Sequence, residues 1–384
     1  MLEAQSIVAY FDNNATTRPL PEVVDAMVDI LGARFGNASS AHSGGEAARE
    51  ALAKARASVA ELLRANAEQV VFTSSGTEAN NMALLSGTVG NRGLVTSKIE
   101  HSSIVKMASH LEGAGNRVFR LDPTRSGVVT ADAVARIVEE LKPSIVSVQW
   151  VNSETGVIQP VEEIAAICHE AGVLFHTDAA QAVGKLPISV TVIGADFVTF
   201  TAHKFHGPAG IGVVYARDPS LLVPVIHGGD QESGLRAGTE NLAGIVGTGV
   251  AADVRREKLG TVIKSLSNIR DTFEERLKAE FSWIDVNGRD EQRVCNTSNL
   301  HFPGVDGQAL VAQFDAIGIH CSQSSACTNM RPESSYVLRA MGMTEEEAYA
   351  SVRFSFGEFN SKAEVIEATG RMLPVIQRLN DLLR

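Results

Sequence analysis

Phe200-Thr201-Ala202-His203-Lys204-Phe205-His206-Gly207-Pro208-Ala209-Gly210 decides how this chain is read. An apolar, β-prone run, Phe197–Phe200, leads into it and a Gly/Pro-rich turn follows. The lysine therefore stands just past the end of a strand, beside a hydroxyl and a histidine. A lysine amine becomes nucleophilic toward aldehydes when burial or a neighbouring cation lowers its pKa. Lys204 is thus a candidate Schiff-base lysine for pyridoxal 5′-phosphate. Alone it would read as a surface lysine on a polar loop; its setting argues against that. His203 and His206 have no third ligand nearby, so zinc is the poorer reading and no metal is expected.

Working upstream, Phe175-His176-Thr177-Asp178-Ala179-Ala180-Gln181 closes another strand with a carboxylate, 26 residues before Lys204. A pyridoxal-phosphate enzyme needs an acid against its pyridinium nitrogen, because the protonated ring is the electron sink. Asp178 could instead be a helix N-cap. Further upstream, Thr73-Ser74-Ser75-Gly76-Thr77-Glu78 joins a strand to a helix. Exposed N–H groups at such a start, with small hydroxyl side chains, can cradle a phosphate. An ordinary capped helix is the alternative. The stretch lacks the Gly-Lys-Ser/Thr ending of a Walker loop and is no dinucleotide fingerprint. Cradle, acid and lysine in this order point to the cofactor better than any one alone.

The surrounding pattern sets these pieces in one architecture. Strands are expected at Val70–Thr73, Leu94–Thr96, Val118–Leu121, Ile145–Val151, Leu174–Thr177, Phe197–Phe200 and Ile211–Tyr215. Helices are expected at Pro21–Leu31, Gly45–Leu63, Glu78–Leu85, Ser103–Leu111, Ala131–Leu141 and Val161–Ala171. Alternating strands and helices imply βαβ units and a mainly parallel sheet. After Asn241 the pattern changes: Ala243–Phe281 reads as a long, mainly helical stretch with Gly260 as a weak point, leaving one domain for the next, and Lys362–Leu383 as a closing helix. We expect a large α/β domain over 13–255 and a smaller α+β domain built from 1–12 and 256–384.

Composition narrows the function classes. The 384 residues are 44% hydrophobic and 21% charged, ordinary for a folded chain of two or three domains. The net charge of −11 argues against a general nucleic-acid binder. No apolar stretch could cross a bilayer and Met1–Tyr10 has no signal-peptide pattern, so a cytoplasmic protein is expected. Cys168, Cys295, Cys321 and Cys327 form no C-x-x-C, which suggests neither a disulfide framework nor a zinc site.

Two further signals carry chemistry. In Cys321-Ser322-Gln323-Ser324-Ser325-Ala326-Cys327-Thr328-Asn329-Met330-Arg331-Pro332-Glu333, small and polar residues surround Cys327. That reads as an exposed loop offering a thiol for use. Cys321 reads as packed at a strand end and Cys168 as core, whereas Cys295 is open. In Ser351-Val352-Arg353-Phe354-Ser355-Phe356-Gly357, alternation sets Arg353 and Ser355 on one strand face. An arginine there can clamp a substrate carboxylate; a salt bridge is the plainer reading.

Together these blocks resemble the NifS/IscS-type cysteine desulfurases, class-V aminotransferase relatives with the fold type I of pyridoxal-phosphate enzymes. Tyr10-Phe11-Asp12-Asn13-Asn14-Ala15-Thr16-Thr17, Phe35–Ser40, Glu100-His101, Val151–Gly156, Arg236-Ala237-Gly238-Thr239 and Ser325-Ala326-Cys327-Thr328 extend the resemblance over nearly the whole chain. It implies a seven-stranded large domain, a homodimer and a reaction taking L-cysteine to L-alanine. The sulfane sulfur would be held as a persulfide on Cys327 for a protein acceptor. Lys204 would hold the cofactor and move the Cα proton, and His101 would stack on the ring. Asp178 would pair with the ring nitrogen, and Gln181 would contact the ring hydroxyl. The phosphate would sit on Gly76, Thr77, Thr201 and His203, with Thr239 from the other subunit. Asn152 and Arg353 would hold the substrate carboxylate. A selenocysteine lyase or another fold-type-I lyase is the alternative; loop length favours the longer-loop desulfurases. Arg331-Pro332-Glu333-Ser334-Ser335-Tyr336 and Gly357-Glu358-Phe359 depart from the usual family wording. These leave open iron–sulfur assembly, thiolation or DNA phosphorothioation as the destination of the sulfur.

Overall fold

The computed structural model describes residues 9–90, 93–323 and 334–382. Its strands are β1 (Ala9–Tyr10), β2 (Val70–Thr73), β3 (Leu94–Ser97), β4 (Val118–Leu121), β5 (Ile145–Ser147), β6 (Leu174–Asp178), β7 (Phe197–Thr201), β8 (Gly212–Ala216), β9 (Asp285–Val286), β10 (Thr297–His301), β11 (Ile319–His320) and β12 (Ser351–Ser355). Its α-helices are α1 (Pro21–Leu31), α2 (Ser43–Leu63), α3 (Gly76–Gly87), α4 (Ser102–Gly113), α5 (Ala131–Leu141), α6 (Val161–Glu170), α7 (Val190–Ile193), α8 (Leu242–Glu280), α9 (Gly307–Ala316), α10 (Tyr336–Ala340), α11 (Glu345–Tyr349) and α12 (Lys362–Asp381).

One seven-stranded sheet runs in the order β2-β8-β7-β6-β5-β3-β4. β3 to β7 are mutually parallel, and β8 is antiparallel to both β2 and β7. This is the mainly parallel α/β fold expected from the alternation of elements. β2, β3, β5, β7 and β8 are buried at every position, as strands covered on both faces must be. The strand expected over 145–151 ends at Ser147. Beyond it the chain continues alongside β6 without regular pairing, with the N–H groups of Val148 and Trp150 donating to His176 and Asp178 carbonyls at 3.1 and 2.9 Å.

A second sheet, β12-β10-β9, is antiparallel, and β1 pairs in parallel with β11. Phe11, just past β1, meets Phe273 of α8 and Phe356, just past β12, with ring centroids 6.1 and 5.1 Å apart. Phe273 also meets Phe354 of β12 at 4.7 Å. These apolar rings fasten the beginning of the described chain to its last third.

α8 packs on α1 and α2 at one end and on α12 at the other. Its 39 residues span about 58 Å at 1.5 Å per residue. Gly260 does not interrupt it. That position is exposed and open, so glycine costs only its helix propensity, about 1 kcal/mol. The division expected between residues 255 and 256 falls inside this unbroken helix.

Candidate active site

The carboxyl ends of β3, β6 and β7 and the start of α3 converge, with the segment after β1, on a cleft of about 270 Å³. Ligands of open α/β sheets bind at such ends. Lys204, Asp178, His101, Gly76, Thr77, Gln181, Thr201, His203 and Arg353 all line it. Residues distant in sequence are thus brought onto one surface.

Lys204 closes a single 3₁₀ turn directly after β7. The Gly207 N–H donates to Ala202 O at 2.9 Å, and Thr17 Oγ1 donates to His203 O at 3.0 Å, fixing the turn from both sides. Lys204 Nζ donates to the backbone oxygens of Asn14 and Ala15 at 2.6 and 2.8 Å. Thr201 Oγ1 spends its hydrogen on Ile211 O at 2.7 Å, so toward the cleft it can offer only lone pairs.

Asp178 is 8% exposed at the end of β6. Its two oxygens accept from Ala180 N at 2.9 Å and Asn80 Nδ2 at 2.7 Å. Asn80 Oδ1 accepts in turn from Thr199 Oγ1, which bonds His176 Nε2 at 3.0 Å. Burial pushes the His176 pKa down to about 4, so this histidine is neutral at pH 7. A carboxylate backed by donors is suited to hold a cation such as a protonated ring nitrogen.

Ser75 caps α3, its Oγ accepting from Glu78 N at 3.2 Å. The N–H groups of Gly76 and Thr77, in the first turn, have no intrahelical acceptor. Gly212 of β8 lies against this turn. A Cβ there would stand 2.1 Å from Ser75 O, so only glycine lets the strand close on it. His101 caps α4 and its Nδ1 accepts from Ser103 N at 3.2 Å, which leaves the ring proton on Nε2. Burial, then Lys204 and Lys185, push the His203 pKa down to about 4.

Arg353 is 2% exposed on β12. Its guanidinium donates to Asp12 Oδ1 at 2.7 Å and to Ser153 O at 3.2 Å, while Nε has no partner among the described residues. The salt bridge and the cleft-facing position therefore coexist in one side chain. Asn152 lies beneath the surface. Its Oδ1 accepts from the N–H groups of Glu154 and Thr155, both at 2.9 Å, and its Nδ2 donates to Ile99 O at 3.1 Å. Its amide is thus spent on the backbone, and its neighbours Val151 and Ser153, not Asn152 itself, line the cleft, so the expected contact of Asn152 with cofactor or substrate carboxylate gives way to a role in shaping that loop. Thr239 is exposed in a separate recess with Ser74, Arg236 and Gly238. Cys327 lies outside the described residues. Cys168, Cys295 and Cys321 are all buried and free.

The donor set fits pyridoxal 5′-phosphate: an amine for the aldehyde, a buried carboxylate for the ring nitrogen, a helix start for the phosphate and an imidazole beside them. Sequence reading missed the layer behind this set, namely Asn14, Asn80, His176, Lys185 and Glu100. Asn14, His176 and Glu100 stand in quoted blocks but without a role; for Asn80 and Lys185 no local pattern separates a buried polar side chain from an exposed one.

Glu100 illustrates the cost of that layer. It is fully buried, accepting from Ser97 Oγ and from Gln149 N at 3.0 Å. Burial, opposed by those hydrogen bonds, raises its pKa to about 8, with Asp178 adding to the rise. The folded chain then binds more protons than the unfolded chain between about pH 4.5 and pH 8, so this group's contribution to stability falls as pH rises through that window. Glu100→Gln should flatten the fall. Thermal unfolding of parent and variant at pH 5 and pH 8 checks this, and parallel curves would contradict it.

Residues 9–367 match the aminotransferase class-V family. A cysteine desulfurase of Gluconacetobacter diazotrophicus is 40% identical over 97% of this chain and 94% of its own. A solved NifS-like protein superposes with a TM-score of 0.90 at 32% identity, covering 97% of this chain and 100% of its own. A structure described as SspA in complex with cysteine gives 0.81 at 34% identity, covering 92% of this chain and 99% of its own. The chain therefore belongs to the class-V aminotransferases, enzymes that work with pyridoxal phosphate. Within that family it is a cysteine desulfurase.

Proposed function

We propose that the chain takes sulfur from L-cysteine in this cleft and passes it through Cys327, with the individual roles set by the side chains described above. The observation that carries this is the convergence of Lys204, Asp178, His101, the α3 start and Arg353 on one surface. The bound cofactor supplies an electron sink that acidifies the substrate Cα–H and loosens its Cβ–S bond. Lys204 would hold the cofactor through its amine and, with the amine free, would move the substrate Cα proton. Asp178 keeps the ring nitrogen protonated. Gly76, Thr77 and His203 hold the phosphate, with the Thr201 oxygen beside it. Arg353 holds the substrate carboxylate, exchanging part of its contact with Asp12 for it, and Asn152 shapes the loop beside it. His101 covers the ring and, through Nε2–H, can return a proton.

The Cys327 thiolate then attacks the substrate sulfur. An S–S bond forms as Cβ–S breaks, and the carbon fragment keeps the bonding electrons, takes up a proton and leaves as L-alanine. The persulfide is handed to a protein acceptor. Mass spectrometry of holoenzyme treated with L-cysteine should find one added sulfur on the Cys327 peptide. Its absence while alanine accumulates would overturn the relay.

A homodimer completes the site. Val28, Leu31 and Phe35 are 61%, 71% and 77% exposed, and Thr239 lies in a recess apart from its own chain's cleft. Such an apolar surface supports a second copy of the chain as its cover, bringing Thr239 to the neighbouring phosphate. Sedimentation at twice 40.9 kDa checks this. No described helix is long and apolar enough to cross a membrane. The net charge of −11 supports a reading without direct nucleic-acid binding, and we place the work in the cytoplasm with a protein acceptor.

A further inference from the structure

Behind the cleft lies a buried lysine that the reaction does not use. Lys185 is 4% exposed. Its Nζ donates to Gln181 Oε1 and to Asn14 Oδ1, the latter at 3.1 Å. Gln181 Nε2 donates to Asn14 O at 3.1 Å. The Asn14 backbone carbonyl can only accept, so the amide nitrogen faces it, and the oxygen faces the Lys185 amine, which has hydrogens to donate whether charged or neutral. One Nε2 hydrogen is left over, on a residue that lines the cleft. Without Lys185 the amide loses its direct anchor at Oε1, and Asn14 loses the contact that helps hold its own oxygen in place. Asn14 has other anchors: Nδ2 donates to Thr297 Oγ1 at 2.9 Å and Asn296 Nδ2 donates to Asn14 Oδ1 at 3.1 Å. Among the described residues the lysine is thus the one donor that touches both members of the pair.

We propose that Lys185 is the positioning residue that makes Gln181 a hydrogen-bond donor to the cofactor. The proposal rests on the reading that Gln181 contacts the ring hydroxyl oxygen. A donor there stabilises the anionic oxygen, so the bound cofactor loses its proton at lower pH; a flipped amide would present its own oxygen and raise that midpoint. Burying Lys185 is costly, and its pKa is lowered to about 7 by burial, with Cys295 opposing and Lys204, Arg353 and Arg255 reinforcing the shift. A site filled only for packing would take methionine without this penalty.

The test is the pH midpoint of the bound cofactor's visible absorbance change in holoenzyme carrying Gln181→Met, Lys185→Met or both. Gln181→Met should raise the midpoint by about one pH unit, the worth of one hydrogen bond to a charged group. Lys185→Met should raise it at least as far, and the double variant should match Gln181→Met alone, since Lys185 would have nothing left to orient. Additive shifts would mean that Lys185 acts through its own charge, and would overturn the proposal. So would a shift in Gln181→Met with none in Lys185→Met. No shift in Gln181→Met would instead refute the contact between Gln181 and the ring, and the proposal with it. If Lys185→Met does not fold, Lys185→Gln, whose amide can still donate to Gln181, should hold the midpoint close to the parent; a full shift there would count against the proposal.

Discussion

Lys204→Ala yields a protein without the yellow colour of bound cofactor, and it releases alanine from L-cysteine at least about 10³-fold more slowly. Lys204 carries the only lysine amine on the cleft lining among the described residues. The next lysine, Lys185, is buried behind Gln181 with its amine already bound by two side-chain oxygens. Arginine cannot substitute, because its guanidinium stays protonated and is a poor nucleophile. The fold should survive, since the hydrogen bonds from its amine to the Asn14 and Ala15 carbonyls lie at the edge of a cleft that water can enter. Absorbance and alanine release, measured together on protein prepared without added amine, decide the matter. A yellow variant with parental turnover would remove Lys204 from the mechanism.

Cys327→Ser should lower sulfur release from L-cysteine by a comparable factor, about 10³ or more, while leaving selenium release from L-selenocysteine largely intact. The weaker C–Se bond can break without a thiol to receive the atom. No other cysteine is placed to take over. Burial, with Asp196 adding to it, pushes the Cys168 pKa up to about 12, and burial also raises those of Cys295 and Cys321. A thiol held protonated is a poor nucleophile. Comparing the two substrates distinguishes a desulfurase from a selenocysteine lyase. Sulfur transfer that persisted in the variant, with the added atom on the Cys321 peptide, would refute the assignment of Cys327.

The sheet was legible because its strands are short apolar runs divided by amphipathic helices. The limits of Pro21–Leu31 and Ala131–Leu141, read from apolar pattern, are those of α1 and α5. The site was legible where chemistry requires a rare residue in a rare setting, as with Lys204 after β7 and Asp178 at the end of β6. It was illegible where the requirement is three-dimensional. Asn80 reads as an ordinary polar position in a helix, yet its amide is shared between Asp178 and Thr199 from two different strands. Lys185 in Gly184-Lys185-Leu186 reads as an ordinary charge, and only the fold brings Asn14, 171 residues away in sequence, to its amine. Arg353 shows the same limit: alternation gives its face, but only the fold gives Asp12 as its partner.

The unbroken run of α8 has a consequence for anyone wishing to recombine this enzyme with its relatives. Its amino-terminal turns are clamped by α1 and α2 and its carboxyl-terminal turns by α12, so a splice placed midway would graft two surfaces evolved apart onto a single rod. Any mismatch in rotation, about 100° for each residue gained or lost, would be carried undiminished to Phe273 and hence to the aromatic knot beneath Arg353. A chimaera keeps the setting of Arg353 only if it inherits that rod whole.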